Sequence, residues 1–437
     1  MKQEMTGAEI VLQSLVDQGV EVVFGYPGGA VLPIYDTLFK HNSIKHVLVR
    51  QEGGAIHAAE GYARSTGKVG VVLVTSGPGA TNVVTGLTDA MMDSIPIVCI
   101  TGQVPQHLIG SDAFQECDTT GITRPCTKHN YLVKDPNKLS PVFHEAFTIA
   151  QDGRPGPVLI DIPKDVQFAN GTYTEKEKVI IPSHRLFEPE IFKNDEKINE
   201  VLNLISKAKK PIFYIGGGCI NSGPKASELV AQLVEMTGAP ATMTLMGLGV
   251  LGSSHPNSLG MLGMHGMYEA NMAMHDCDVM INIGARFDDR VTGRLDAFSP
   301  NSKKIHIDID ESNINKTIKV DVPVVGDVTS VLKRVVKVWK DNNLKTNQSD
   351  LKLWWDKINK WKKIDCLHFT NNEKEIKPQY AVQRLYELTK DKKTFITTEV
   401  GQHQMWAAQY YKFEKPNRWL TSGGLGTMGY GFPAAIG

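Results

Sequence analysis

The chain has 437 residues, and its 47 Lys and Arg residues balance its 47 Asp and Glu residues, so the formal net charge is zero. This length predicts about three domains, and a hydrophobic share of 41% is typical of an ordinary globular protein. Without a basic surplus, nucleic acid and anionic membranes are disfavoured as partners. No apolar run approaches the ~20 residues that span a bilayer. Forty glycines indicate many close backbone approaches, as in nucleotide-binding α/β proteins.

Six cysteines are too dispersed along the chain for a CxxC metal or redox motif. Most of them lie in or beside apolar segments, which predicts buried free thiols in a reducing compartment. The early acidic residues Glu4, Glu9 and Asp17 fit neither a secretory signal nor an organellar presequence. We therefore expect a cytoplasmic protein.

The first predicted elements alternate between helix and strand. Thr6 and Glu9 form a capping-box pattern that opens a helix, and Gly19 closes it. The Val/Ile-rich runs that follow are 21–24, 46–49, 69–74, 95–100 and 157–162. Short runs that are apolar on both faces and spaced by helical patterns predict parallel strands between two helix layers.

Two further sets of strands follow, and polar stretches at 169–183 and 341–377 separate the sets as predicted linkers. The second set contains the runs 211–215, 278–283 and 304–309, and the third begins at 394–397. Within 341–377, an amphipathic helix places Leu351, Trp354, Ile358 and Trp361 on one face, which predicts packing against a neighbouring domain. No period of 20–50 residues recurs, so a solenoid is excluded. The predicted fold class is α/β, with three doubly wound parallel-sheet domains at 1–168, 190–340 and 372–437, the third incomplete.

Glu52 stands where the second predicted strand ends and a helix begins. Open α/β sheets bind their ligands at the carboxyl ends of parallel strands, so this carboxylate is a candidate functional group. The alternative is a glutamate that only stabilises the positive end of the helix dipole. A second strand–loop–helix junction, 75–82, is rich in glycine but matches neither the G-x-G-x-x-G nor the Walker pattern. A nicotinamide or ATP site is therefore unsupported there.

The middle domain carries several weak signals of a nucleotide site. A glycine run, 216–218, follows a strand but gives an incomplete dinucleotide fingerprint. Asp308 and Asp310 at a strand end could accept hydrogen bonds from ribose hydroxyls, and Arg286 and Arg290 could bind a pyrophosphate. The alternative is a loop held by its own salt bridges.

Taken together, these segments resemble one family. The segments 25–30, 52–64 and 75–82 resemble the pyrimidine-binding domain of thiamin-diphosphate enzymes. The segments 110–116, 285–293, 401–406 and 422–437 are similar to the catalytic subunit of acetohydroxyacid synthases (acetolactate synthases), and the resemblance covers essentially the whole chain. Three positions depart from the usual pattern: Gln51 and Gly53 flank Glu52 where His and Gln are more common, and Glu399 replaces an Asp.

The resemblance implies a carboligation in which one pyruvate is decarboxylated and its two-carbon unit is joined to pyruvate or 2-oxobutyrate. It implies that the catalytic Glu52 hydrogen-bonds N1′ of the cofactor's aminopyrimidine, so that the 4′-nitrogen takes the C2 proton. Met428 would support the V-shaped cofactor from below. The implied thiamin-diphosphate contacts are Tyr26, Pro27, Glu52, Thr75, Pro78, Asn82, Gln115, Val400, Gly401, Gln402, His403, Gly426 and Met428.

The resemblance further implies that the middle domain binds FAD in a structural role, because the carboligation has no net redox change. The implied FAD contacts are Arg154, Gly216, Gly217, Thr244, Leu245, Met246, Met264, His265, Gly266, Gly284, Ala285, Arg286, Asp288, Arg290, Asp308, Ile309 and Asp327. The implied substrate pocket contains Gly29, Ala30, Phe114, Gln115 and Lys164, the lysine facing negative charge near the entrance.

The implied partners are a second copy of the chain, because this family shares each active site between two subunits, and a small regulatory subunit. Two alternatives stay open at this stage. One is another thiamin-diphosphate enzyme, such as a pyruvate oxidase, a glyoxylate carboligase or an oxo-acid decarboxylase. The other is a non-catalytic nucleotide-binding homologue, against which the retained Glu52 argues.

The last expectation concerns magnesium. Related enzymes hold the diphosphate through Mg²⁺ ligands on a Gly-Asp-Gly…Asn segment, and the one Gly-Asp pair here, Gly326-Asp327, lacks that downstream pattern. We therefore predict no metal ligand within these residues and expect them beyond residue 437. On that expectation the chain is a fragment of a longer gene product and is inactive by itself.

Overall fold

The computed structural model describes residues 3–182, 186–187, 195–372 and 374–437. Contacts within this part of the chain define two compact units. The first contains Met1–Phe187, Thr397–Val400 and Leu420–Gly437, and the second contains Glu188–Ile396 and Gly401–Trp419. None of the helices searched in these ranges has the length and apolar character needed to cross a lipid bilayer.

The first unit is built on a six-stranded parallel sheet. Its strands and those of a small accessory pair are β1 (Gln3–Thr6), β2 (Val22–Tyr26), β3 (Lys45–Leu48), β4 (Gly70–Val74), β5 (Ile97–Gln103), β6 (His129–Leu132), β7 (Pro157–Pro163) and β8 (Asn170–Tyr173). The strand order in the large sheet is β3-β2-β4-β5-β7-β6, and every neighbouring pair is parallel. The order reverses between β2 and β4, which is where open α/β sheets form a ligand crevice.

Helices cover both faces of this sheet, as the uninterrupted apolar strands predict. They are α1 (Gly7–Asp17), α2 (Leu32–Lys40), α3 (Glu52–Thr66), α4 (Pro78–Asn82), α5 (Val84–Asp93), α6 (Thr119–Thr123), α7 (Leu139–Gln151) and α8 (Lys164–Phe168). Val71 and Leu73 of β4 pack in the core that contains α1 and α7, whereas Val72 and Val74 pack with α3 and α5. Since successive side chains of a strand point to opposite faces, one apolar run supplies both cores.

The capping box predicted at Thr6 is present. The backbone N–H of Glu9 donates to Thr6 Oγ1 at 3.3 Å, and the N–H of Thr6 donates to Glu9 Oε2 at 2.8 Å. The prediction of a linker over 169–183 is wrong at its start, because β8 pairs antiparallel with β1. The two strands are far apart in sequence, so no local sequence pattern predicts that they pair.

The second unit contains another six-stranded parallel sheet. Its strands are β9 (Pro211–Ile215), β10 (Ala241–Met243), β11 (Ser258–Met261), β12 (Val279–Ile283), β13 (Lys303–Asp308) and β14 (Val322–Val325). Their order is β11-β10-β9-β12-β13-β14, and all pairs are parallel. This 3-2-1-4-5-6 arrangement is that of dinucleotide-binding sheets, with the crevice between β9 and β12. The doubly wound fold predicted for the middle of the chain is confirmed.

The helices of the second unit follow in chain order. They are α9 (Asp195–Lys207), α10 (Gly218–Asn221), α11 (Pro224–Thr237), α12 (Tyr268–Asp276), α13 (Asp289–Thr292), α14 (Val328–Asp341), α15 (Gln348–Lys362), α16 (Pro378–Thr389) and α17 (Gln402–Tyr410). The predicted amphipathic helix is α15, and it packs on α12 with Leu351, Trp354 and Ile358 buried. The indole N–H of Trp354 donates to the Pro211 carbonyl at 3.0 Å, and that of Trp355 donates to Gly238 at 2.9 Å.

The third predicted segment is short and contributes residues to both units. It contains α16, α17, two short strands, β15 (Ile396–Thr397) and β16 (Trp419–Leu420), and a last helix, α18 (Gly431–Ile436). In the first unit, α18 packs on α3 so closely that a Cβ at Gly61 would lie 2.1 Å from the Ala434 carbonyl oxygen.

The cysteines are free, as predicted, but they are not all buried. Cys99, Cys126, Cys219 and Cys277 are buried, whereas Cys117 is half-buried and Cys366 is exposed. The prediction of burial is wrong for Cys366, because it lies after α15 in a polar stretch whose residues are mostly exposed.

Trp354→Ala should lower the free energy of unfolding of the second unit by about 3–5 kcal/mol, because it removes a buried ring and leaves the Pro211 carbonyl without its donor. Denaturant titration followed by circular dichroism measures this loss. The control is Leu353→Ala on the same helix, where the side chain is 68% exposed and the expected change is within about 0.5 kcal/mol. Equal effects of the two substitutions would contradict the packing of α15.

Candidate functional site

The loops after β2 and β4 meet at the point where the strand order of the first sheet reverses. The N–H of Ala30 donates to Thr75 Oγ1 at 3.3 Å, and the Gln167 side chain donates to the Ala30 carbonyl at 2.7 Å. A Cβ on Gly28 would lie 2.5 Å from the Cβ of Thr75, so only glycine allows this approach. Gly28 and Ala30 therefore contact Thr75, and Tyr26, Pro27 and Gly29 belong to the same segment at the end of β2.

Glu52 is the first residue of α3 and is held by the helix that follows β4. The side-chain amide of Asn82 donates to Glu52 Oε2 at 2.9 Å. A Cβ on Gly79 would lie 3.6 Å from Glu52 Oε1, so the glycine loop with Pro78 passes directly by this carboxylate. The Gln51 side chain caps the same helix by accepting from the Gly54 N–H at 3.0 Å. The side chain that caps α3 is therefore Gln51 and not Glu52. Because Glu52 instead accepts a hydrogen bond from Asn82, a role in stabilising the helix dipole does not by itself explain its position.

The loop 110–116 reaches the same glycine turn. Gly77 has φ +56°, and a Cβ there would lie 2.8 Å from the carbonyl oxygen of Gln115, which itself has φ +62°. The Glu116 carboxylate accepts from the N–H groups of Gly110 and Ala113. These backbone hydrogen bonds, from Gly110 first, lower the pKa of Glu116. The loop presents Phe114, whose side chain is 88% exposed.

The segment 420–437 presents two further exposed apolar side chains. Met428 is 80% exposed and Phe432 is 74% exposed. The Glu399 carboxylate accepts from the N–H of Gly429 and, at 3.1 Å, from that of Phe432. The glutamate that departs from the family pattern thus fixes the turn that carries Met428. Gly426 and Gly429 have φ +77° and +101°, which favours glycine at both positions.

The remaining predicted positions lie on other elements. Lys164 begins α8 directly after β7 and is half-buried. Val400 belongs to the first unit, whereas Gly401, Gln402 and His403 belong to the second and begin α17. Arg154 donates to Ser94 Oγ at 2.8 Å and to the Met91 and Met92 carbonyls at 3.2 Å, at the C-terminal end of α5. Its predicted flavin contact stays a prediction.

The crevice between β9 and β12 is formed by two glycine loops. A Cβ on Gly216 would lie 2.1 Å from the Gly284 carbonyl oxygen, and a Cβ on Gly217 would lie 3.2 Å from the Cβ of Met246. The alternative of a salt-bridged loop is realised in part, because Arg286 pairs with Asp288 at 2.5 Å and Arg294 pairs with Asp296 at 2.6 Å. Arg290 is 71% exposed, and its nearest carboxylate, Asp289, is 3.7 Å away.

Other predicted positions of this crevice follow the strand ends. Asp308 ends β13, is buried and accepts from the Asp310 N–H at 2.9 Å, ahead of Ile309 in the same turn. Asp327 caps α14 by accepting from Ser330 at 2.9 Å. Thr244, which precedes Leu245 and Met246, has a buried hydroxyl that finds no hydrogen-bond partner in the part of the chain that the structure describes. The loop that carries Met264, His265 and Gly266 is tied to Arg290, whose carbonyl accepts from the Met264 N–H at 2.7 Å.

These features fit a dinucleotide. A buried polar atom without a partner indicates a missing donor or acceptor, and Thr244 supplies one in this crevice. A ligand with a pyrophosphate group needs a crevice at the strand ends, a backbone that approaches closely and a cation. This crevice offers the strand order, the glycine loops and the exposed Arg290 for these three needs.

Sequence reasoning missed a set of polar residues beneath the C-terminal segment: His57, Glu60, Asp89, Asp93 and Ser422. The sequence does contain one indication of this set. Glu60 belongs to the same helix, α3, as Ala55, Ala58 and Ala59, which pack in the core. A charged side chain at a core position of a helix needs a buried partner.

Comparison with protein families defines the class. The description "Thiamine pyrophosphate enzyme, N-terminal TPP binding domain" matches residues 5–122, the central domain of the same enzymes matches 198–335, and their C-terminal TPP binding domain matches 399–437. The fold and the edge around Glu52 are thus those of a thiamine pyrophosphate enzyme.

The individual relatives narrow this class. An acetolactate synthase large subunit of Buchnera aphidicola is 51% identical over 436 residues, 99% of this chain and 75% of that protein. The acetolactate synthase isozyme 3 large subunit of Escherichia coli is 49% identical over 435 residues, again 99% and 75%. A chloroplastic acetolactate synthase of Arabidopsis thaliana is 48% identical over 437 residues, all of this chain and 64% of that protein. The chain belongs to the acetolactate synthase large-subunit family.

Glu116→Ala should release the loop 110–116, because the N–H groups of Gly110 and Ala113 lose their acceptor. Hydrogen–deuterium exchange at these two amides should accelerate roughly 2- to 10-fold. Glu116→Gln keeps one acceptor oxygen and should give an intermediate rate. Unchanged exchange in Glu116→Ala would mean that the carboxylate does not hold the loop.

Proposed function

We propose that the protein synthesises acetolactate. It would decarboxylate pyruvate and join the two-carbon unit to a second pyruvate, or to 2-oxobutyrate, in the first common step of branched-chain amino-acid synthesis. The observation that carries this proposal is the Glu52 carboxylate, held by Asn82 at the switch point of the first sheet beside Thr75 and the glycine loop.

The residues around Glu52 fit the aminopyrimidine half of thiamin diphosphate. When bound, this cofactor supplies an electron sink for the carbanion chemistry of the reaction. Glu52 would hold a proton between one of its carboxylate oxygens and the ring nitrogen N1′, and Asn82 would keep that carboxylate in a single orientation. Thr75, Pro78 and Gln115 would contact the cofactor from the glycine-loop side. Met428 would support it from the 420–437 turn with an exposed, polarisable side chain.

The substrate would bind against the loop 110–116. Phe114 and Gln115 would contact the pyruvate methyl and carboxylate, beside the backbone of Gly29 and Ala30. Lys164 would offer a positive charge to the carboxylate of an incoming oxo acid. Mg²⁺ would neutralise the diphosphate, because hard oxygen ligands and phosphate together form such sites.

FAD would bind in the second unit, in a structural role. The glycine loops after β9 and β12 would admit its pyrophosphate, with Arg290 and Arg286 as the cations and Asp308 as an acceptor for ribose. Thr244 would find its missing hydrogen-bond partner in the ligand.

The active unit would be a homodimer or a larger assembly with shared active sites, in the cytoplasm. The names of the relatives speak of a large subunit, which supports a small regulatory subunit as a further partner.

The direct test uses the purified gene product with thiamin diphosphate, Mg²⁺ and FAD. Supplied with pyruvate under anaerobic conditions, it should release CO₂ and form acetolactate without reducing the flavin. With both oxo acids present, mass spectrometry should also detect 2-aceto-2-hydroxybutyrate. Flavin reduction in place of carboligation would overturn the proposal in favour of an oxidase.

Glu52→Gln should slow H/D exchange at C2 of bound thiamin diphosphate by about 10²–10⁴-fold, since the amide cannot hold the proton at N1′. The substitution keeps the shape of the side chain, so folding and most cofactor binding should persist. Glu4→Gln, at an exposed position of β1, is the matched control. An unchanged exchange rate in Glu52→Gln would remove the proposed role of Glu52.

Arg290→Ala should weaken FAD binding by about 1.5–3 kcal/mol, roughly tenfold or more, because a charge-assisted contact is lost. Flavin retained after purification and dialysis measures the effect by absorbance. Arg294→Ala is the control, because Arg294 is exposed nearby and already pairs with Asp296 at 2.6 Å. Equal flavin retention in both variants would show that Arg290 lies outside the FAD site.

A further inference from the structure

Two carboxyl groups are buried side by side in the first unit. Glu60 on α3 and Asp89 on α5 are both fully buried, and His57, one turn before Glu60, is buried as well. One ligand-type atom of each of the three lies within 4.8 Å of those of the other two. A pair of adjacent carboxylates that are both ionised and removed from water would repel each other and pay two desolvation penalties.

Among the described residues, the hydrogen bonds around this pair leave one oxygen on each side chain without a partner. Glu60 Oε2 is 2.7 Å from His57 Nδ1. Asp89 Oδ1 accepts from the hydroxyls of Ser422 and, at 3.1 Å, Thr427. Glu60 Oε1 and Asp89 Oδ2 are the atoms left over. A single proton shared between these two oxygens would satisfy both, because a protonated carboxyl is a donor.

We propose that Glu60 carries a proton in the folded protein and donates it from Oε1 to Oδ2 of Asp89, and that Asp89, kept ionised, is a positioning residue for the turn 422–428. The role of this turn in contacting thiamin diphosphate through Gly426 and Met428 rests on the proposed function. The proton bridge itself rests on the geometry of the buried pair.

The assignment of the proton to Glu60 follows from the donors that each carboxyl receives. Asp89 accepts from two hydroxyls, which stabilise its charged form, whereas within the described part of the chain Glu60 is bonded by the His57 ring alone. Burial first, and then the charges of Asp89 and Asp93, raise the pKa of Glu60 well above its usual range, while Arg64 opposes this. Burial lowers the pKa of His57, so the ring is neutral and donates through Nδ1–H.

The other groups that face the pair come from three directions. Arg64 on α3 donates to the Thr421 carbonyl at 2.7 Å and to the Tyr430 hydroxyl at 3.1 Å. Asp93 on α5 accepts from the Gly423 N–H at 2.8 Å. Glu399 raises the pKa of His57 by its charge, less than burial lowers it.

Asp89 acts on the turn through one hydroxyl. Ser422 gives its hydroxyl hydrogen to Asp89, which frees its lone pairs to accept from the N–H groups of Gly426 at 3.0 Å and Thr427 at 2.8 Å. If Asp89 were neutral and donating, this hydroxyl would lose its acceptor and could turn away from the two amides. The charge of Asp89 therefore orients Ser422, and Ser422 orients the turn.

Infrared spectroscopy of the unmodified chain is the first test. At neutral pH it should show the carbonyl stretch of one protonated carboxyl, and Glu60→Gln should remove that band. Glu235→Gln, at an exposed position of α11, should leave it in place. Absence of the band in the unmodified chain overturns the proposal. So does a tightly bound divalent metal that survives chelation and is lost in Glu60→Gln, because the pair would then be a metal site.

The pH dependence of unfolding is the second test. Above the ordinary glutamate pKa of 4.5, Glu60 is ionised in the unfolded chain but protonated in the folded one, so stability falls as pH rises towards the raised folded pKa. One such proton changes the unfolding equilibrium constant up to tenfold per pH unit. Glu60→Gln keeps a donor to Asp89 and should lose this slope, so its stability relative to the unmodified chain should improve from about pH 5 to about pH 8. A destabilisation that is the same at every pH overturns the proposal.

Amide exchange tests the link to the turn. Asp89→Asn and Ser422→Ala should both accelerate amide exchange at Gly426 and Thr427. Glu60→Gln should leave the exchange rate close to that of the unmodified chain, because the glutamine amide still donates to Asp89. Accelerated exchange at these amides in Glu60→Gln would contradict the positioning role. So would an unchanged exchange rate in Asp89→Asn. None of these measurements involves substrate, so a failed acetolactate assay would count against the proposed function and not against the proton bridge.

Discussion

The constraint on which the site depends is the burial of parallel strands on both faces. In such a sheet only the loops at the strand ends reach solvent, so every group with chemistry must stand at an edge. In the first unit the strand order reverses between β2 and β4, and the chain therefore leaves these strands in opposite directions. The gap so formed receives Tyr26 to Ala30 from one side and Thr75 to Asn82 from the other, with Glu52 arriving from β3.

Close backbone approach is what makes this gap a site rather than an open cleft. Gly28 against Thr75 and Gly77 against Gln115 leave no room for a Cβ. The same device recurs in the second unit, where Gly216 meets Gly284 across the crevice between β9 and β12. Both sheets thus use glycine to bring two loops within contact distance at a switch point, and in the second unit the Thr244 hydroxyl is left for a ligand to bond.

Carboxylates that accept hydrogen bonds from the C-terminal segment supply the second kind of order. Glu399, Asp89 and Asp93 all direct their carboxylates to N–H or O–H groups of the segment 420–437. A backbone without regular secondary structure needs partners for its amides, and three carboxylates provide them. The turn with Met428 is consequently fixed by side chains from α5 and from Glu399, although its own sequence is rich in glycine.

The sequence alone determined the elements whose cause is local. The capping box at Thr6, the apolar runs of β4, β9 and β12, and the stripe of α15 depend on periodicity and neighbours a few residues apart, and the structure bears them out. Glu52 and its glycine loop were also found, because strand–loop–helix junctions have a local signature. Only the tertiary structure decided the pairing of β1 with β8, the contact of Asn82 with Glu52 and the meeting of Glu60, Asp89 and Ser422. These join residues up to hundreds of positions apart, and a buried carboxyl shows its purpose only when the fold has brought its partners to it.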